Sequence, residues 1–103
     1  MQARILLVED DPEIARVVRD MFVREGYEVT WATTGLEGWE DFQQGSYDLA
    51  LIDIMLPEMD GLSLCKNIRW NSDIPLIIIS ARKEDEDKIA GLGLGADDYV
   101  AKP

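Results

Sequence analysis

Acidic and other reactive side chains stand in this chain directly after runs of apolar residues. Glu9-Asp10-Asp11 follows Ile5-Leu6-Leu7-Val8, and Asp53 follows Leu49-Ala50-Leu51-Ile52. Ser80 closes the run Ile74-Pro75-Leu76-Ile77-Ile78-Ile79, and Lys102 follows Tyr99-Val100-Ala101. If those runs are parallel strands, all these groups collect at the carboxyl edge of one sheet, where open α/β sheets bind their ligands. Carboxylates held so close repel one another, and a cation between them relieves the repulsion. A donor set of oxygens, in a chain with 0 histidines, suits a hard ion, Mg2+ above all, held by few protein ligands and several waters. Mg2+ beside an ammonium and a hydroxyl can stabilise a phosphoryl group in transfer. A carboxylate can itself be the nucleophile and form an aspartyl phosphate, and Asp53, alone at the end of a central strand, is the natural acceptor.

The elements needed to position these groups are legible in the hydrophobic pattern. The runs 5–8 and 49–52 are continuous rather than alternating, as expected of strands buried on both faces. Tyr27 to Trp31 reads as a shorter strand, 74–79 as a fourth and 99–101 as a fifth. Between them lie amphipathic stretches. Asp11 caps a helix with Pro12 at its first position, Ile14, Val17, Val18, Met21 and Phe22 recur at helical spacing, and Gly26 ends it. A helix from about 34 to 44 turns Leu36 and Trp39 inward and stops at Gly45. Leu62, Cys65 and Ile68 mark a third helix after the loop 55–61, and a fourth begins near Lys83 and runs to about Gly95. The order (βα)4β predicts an α/β, doubly wound, parallel five-stranded sheet with helices on both faces. No helix follows the fifth strand, so one sheet face is expected to lack part of its cover and the domain to be truncated there.

Composition narrows the class. At 103 residues the chain is one domain, 1–103, and 47% hydrophobic residues suffice for a core. Ten Lys plus Arg against 21 Asp plus Glu leave a net charge of −11, which argues against nucleic acid or an anionic membrane as a direct partner. The lone Cys65 excludes an internal disulfide and fits a reducing, cytoplasmic setting. Cys65, Trp31, Trp39 and Trp70 read as packing residues. Glu84-Asp85-Glu86-Asp87 reads as a solvated first helical turn.

Four segments resemble the receiver domain of bacterial response regulators (CheY-like, flavodoxin-like topology), over essentially the whole chain. They are Ile5-Leu6-Leu7-Val8-Glu9-Asp10-Asp11, Asp53-Ile54-Met55-Leu56-Pro57-Glu58-Met59-Asp60-Gly61, Ile78-Ile79-Ser80-Ala81, and Gly95-Ala96-Asp97-Asp98-Tyr99-Val100-Ala101-Lys102-Pro103. The resemblance implies that Asp53 is the phosphoacceptor. It implies Mg2+ bound by Asp10, Asp53 and the main-chain carbonyl of Met55, with Glu9 acting through water. Lys102 would pair with the phosphoryl oxygens from a cis Lys102-Pro103 peptide, Ser80 would move to bond them, and Tyr99 would turn inward behind it. The phosphodonor partner is a sensor histidine kinase, and the domain assists only its own phosphorylation and dephosphorylation rather than acting as an enzyme.

The stretch from Ser80 to Tyr99 is similar to the OmpR/PhoB subfamily, whose receivers are joined to a winged-helix DNA-binding domain. Those receivers dimerise through the fourth helix, fifth strand and fifth helix, and the present chain ends before the last of these. Output is expected from the 83–102 face. Competing functions fit less well. An Asp-nucleophile phosphohydrolase needs a second Asp where Met55 stands, and an FMN site needs a glycine- and hydroxyl-rich loop where Glu9-Asp10-Asp11 stands. A locked, non-phosphorylated interaction module remains the other alternative.

Overall fold

The computed structural model describes residues 2–53, 61–80 and 98–101, and the side chains of Leu62, Ser80 and 98–101 are outside that description. The elements are β1 (Arg4–Val8), α1 (Pro12–Arg24), β2 (Glu28–Ala32), α2 (Gly35–Gln44), β3 (Leu49–Asp53), α3 (Gly61–Asn71), β4 (Leu76–Ser80) and β5 (Asp98–Ala101). All pairings are parallel and the order is β2-β1-β3-β4-β5. This is the doubly wound arrangement expected. The fourth helix expected over 83–95 lies outside the described residues.

Alternation along the strands makes two cores. Leu6, Val8, Ala50, Ile52, Leu76 and Ile78 meet Leu64, Cys65 and Ile68 of α3, with Trp39 and Phe42 of α2 at the margin. Ile5, Leu7, Leu51 and Ile79 meet Ala15, Val18 and Phe22 of α1 on the other face. Helix ends follow the sequence signals. Asp11 Oδ1 accepts from the N–H groups of Glu13 (2.9 Å) and Ile14 (3.4 Å). At the other end of α1, Gly26 adopts φ +92°, a conformation glycine takes without the Cβ penalty. Its N–H donates to Val23 O and that of Tyr27 to Phe22 O. That is the Schellman pattern, and the Phe22 and Tyr27 rings pack edge to face at 5.7 Å.

Several expectations need correction. Leu36 is 41% exposed rather than inward. The inward arc of α2 is Gly35, Gly38, Trp39 and Phe42, because the helix backbone comes so close to β1 that a Cβ on Gly38 would stand 2.8 Å from Val8 Cγ2. On α1 the arc is Ala15, Val18 and Phe22, which leaves Val17 67% exposed and Met21 exposed beside it. Trp70 is 90% exposed and packs nothing away, since it lies on the side of α3 opposite Leu64 and Ile68. Strand ends shift by a residue or two. β2 runs 28–32 because the N–H of Tyr27 is taken by the α1 cap, and β4 starts at Leu76, after Pro75, which has no N–H to donate.

Candidate functional site

Register brings the acids together. Val8 pairs with Ile52, so Glu9, one residue beyond β1, and Asp53, the last residue of β3, stand side by side on neighbouring strands. Both are buried, Glu9 at 0% and Asp53 at 2% exposure, while Asp10 is exposed. One carboxylate oxygen from each of Glu9, Asp10 and Asp53 lies within 4.8 Å of the others.

The local chain fixes Glu9 at several atoms. Its N–H donates to Ala32 O at 3.0 Å, its carbonyl accepts from Trp31 Nε1 at 2.8 Å, and its Oε2 accepts from the Asp11 N–H at 3.2 Å. The strand-to-helix turn is therefore clamped from β2 on one side and from the first turn of α1 on the other. Trp31 is the residue that sequence reasoning undervalued. Read as packing alone, it also holds the main chain of a site residue, and the Arg19 guanidinium lies 5.9 Å from its ring centroid. Its place in the strand beside the one carrying Glu9 was the available signal.

Buried carboxylates are retained only where something satisfies their charge. Three converging carboxylate oxygens, two of them from buried residues, make a hard-donor cradle that fits Mg2+. Residues 5–103 match the response regulator receiver domain family. The chain belongs to that family.

The receiver is 52% identical over 98 residues to the uncharacterized transcriptional regulatory protein YcbL of Bacillus subtilis, covering 95% of this chain and 43% of the relative. It is 46% identical over 102 residues to the transcriptional regulatory protein CseB of Streptomyces coelicolor, covering 99% and 44%. The chain thus spans less than half the length of these relatives, both of which are named as transcriptional regulatory proteins. Among solved structures, the response regulator TrrA from Thermotoga maritima, in complex with Mg(2+)-BeF, superposes with a TM-score of 0.89 at 33% identity, covering 99% of this receiver and 88% of that chain.

Of the other residues expected at the receiver's site, Ser80 lies at the carboxyl end of β4. Asp53 pairs with Ile79, which puts the main chain of Ser80 one step beyond the Asp53 level. Tyr99 pairs with Ile78, and Ala101, the residue before Lys102, pairs with Ser80. Met55 and Lys102, with the Lys102-Pro103 peptide, lie outside the described residues. Among the described helices, none is long and apolar enough to cross a membrane.

Proposed function

We propose that this receiver is the phosphoacceptor switch of a two-component system, with Asp53 as the residue phosphorylated. The observation that carries the reading is the convergence of the Glu9, Asp10 and Asp53 carboxylates within 4.8 Å at adjacent strand ends. Asp10, Asp53 and the Met55 carbonyl would hold Mg2+, and Glu9 would act through water. When bound, Mg2+ supplies charge neutralisation to the phosphoryl oxygens and to the crowded carboxylates. A carboxylate oxygen of Asp53 attacks the phosphorus of a sensor kinase's phosphohistidine. The new P–O bond forms as the P–N bond breaks, and the imidazole leaves. The Lys102 ammonium and Ser80 hydroxyl bond the phosphoryl oxygens.

Binding the phosphoryl group better in one arrangement than another shifts an existing equilibrium, with Ser80 and Tyr99 as its moving parts and the 83–102 face as its output. The relatives' names support transcription as that output; a DNA-binding domain outside this chain, pairing through the fourth-helix and fifth-strand face and a cytoplasmic setting are further parts of this proposal. The receiver turns over no separate substrate.

The test is intact-mass spectrometry after incubation with acetyl phosphate and Mg2+. A single phosphoryl adduct is expected, absent with EDTA and absent in Asp53→Asn. An adduct that persists in Asp53→Asn at the wild-type level contradicts the assignment.

A further inference from the structure

The outward sides of α2 and α3 form a patch that carries both halves of several contacts. On α2, Glu37, Glu40 and Gln44 stand at i, i+3 and i+7, all exposed, and the helix contains no basic residue. On α3, Ser63, Lys66 and Trp70 stand at the same spacing, all exposed, and the helix contains no acidic residue. Residues so spaced make one row along a helix, so an acidic row lies beside a row bearing Lys66 and a fully presented indole. The acidic row is crowded. Partial burial first, then Glu37 and Glu40, raise the Asp41 carboxyl above its ordinary value.

Between the carboxyl ends of the two helices opens a cleft of about 480 Å3, walled by Trp39, Phe42 and Tyr47 and bordered by Asn71 and Ser72. Trp39 and Phe42 are stacked at 5.9 Å, offering an aromatic wall. Trp70, 90% exposed, immediately precedes the two bordering residues. Exposed tryptophan is rare on a free surface and is the residue type most enriched at the energetic centre of interfaces.

An isologous pair uses the same patch on both copies, so that patch must be its own complement. This one is: ring and aromatic cleft, lysine and acids, on two neighbouring helices. We propose that the α2/α3 face binds a second copy of this chain about a two-fold axis. Trp70 of each copy enters the cleft of the other, and Lys66 of each faces Glu37 and Glu40 of the other. In a chain of net charge −11, that exchange places the cationic row of one copy against the acidic row of the other and suppresses wrong registers. The proposal does not depend on Asp53 or on phosphorylation.

Sedimentation equilibrium of the unphosphorylated chain in EDTA, from micromolar to near-millimolar concentration, tests it. Wild type is expected to dimerise, and Trp70→Ala, at a site where truncation leaves no cavity, is expected to weaken the dimer at least about tenfold with an unchanged circular dichroism spectrum. Lys66→Glu is expected to weaken it as well, and Lys66→Glu with Glu40→Lys to recover it. A wild-type monomer throughout, or a dimer that Trp70→Ala leaves unchanged, overturns the proposal.

Discussion

Even-numbered and odd-numbered strand residues have different surroundings, although both sets are equally apolar. Leu6, Val8, Ala50, Ile52, Leu76 and Ile78 are all fully buried beneath α2 and α3. On the odd face Ile5 and Leu7 are covered by α1, yet Leu49 and Ile77 in β3 and β4 are only half-buried. Asp53 continues that odd series one step beyond Leu51. Strand β3, which ends in the proposed acceptor, is therefore anchored by its even residues beneath α2 and α3 and is less completely covered on its odd face. Glu9 and Asp53 are nevertheless buried at the carboxyl edge, at 0% and 2% exposure, so the burial of these acids does not follow from how fully either face is covered.

The sharpest way to break this comparison is within one strand. Ile78→Ala on the even face is expected to cost about 3–4 kcal/mol, and Ile77→Ala on the odd face about 1–2 kcal/mol, read from urea unfolding. Equal costs would mean that the two faces are packed alike.

A second test uses the closeness of α2 to β1. Alanine in an open helix position is more stable than glycine by up to about 1 kcal/mol. Gly38→Ala is expected to reverse that sign, by about 1–2 kcal/mol, because the new Cβ meets Val8 Cγ2 at 2.8 Å and Leu64 Cδ2 at 3.3 Å. A stabilised variant would show that α2 can lift away from the sheet.

The smallest expected effect is at the acidic side of α2. Because partial burial, Glu37 and Glu40 raise the Asp41 carboxyl in the folded state, its ionised form opposes folding above that raised value. Asp41→Asn is therefore expected to raise the thermal midpoint slightly at neutral pH. The gain should fade as the pH falls through the raised value and vanish in acid, where the wild-type carboxyl is protonated in both states. A gain that persists in acid contradicts this cause.

Much of the fold was legible because buried parallel strands write themselves as unbroken apolar runs, and because Asp11, Pro12 and Gly26 punctuate α1 by local chemistry. The acids were legible for the same reason, since each stands at the end of such a run. What escaped was rotation about helix axes. The apolar stripe of α1 is wider than the arc the sheet covers, so Val17 and Met21 look like core in the sequence and face outward in the fold. Leu36 gives way to two glycines because helix-to-strand distance, not hydrophobicity, decides what fits beneath α2. The clamp from Trp31 on the Glu9 carbonyl depends on the β1–β2 register, which the sequence does not print. With no base-stacking context around it, Trp70 reads as packing in the sequence, and its position opposite Leu64 and Ile68 on α3 leaves it exposed instead.

Asp53, among these crowded acids, is the residue proposed to take the phosphoryl group. Borohydride converts an aspartyl phosphate to homoserine, so trapping after acetyl phosphate treatment followed by peptide sequencing by mass spectrometry reads the acceptor directly. Homoserine at position 53 alone, formed only with Mg2+, is the predicted result. Homoserine at Asp10 or at another acid, or none on a chain that circular dichroism shows to be folded, would contradict the account.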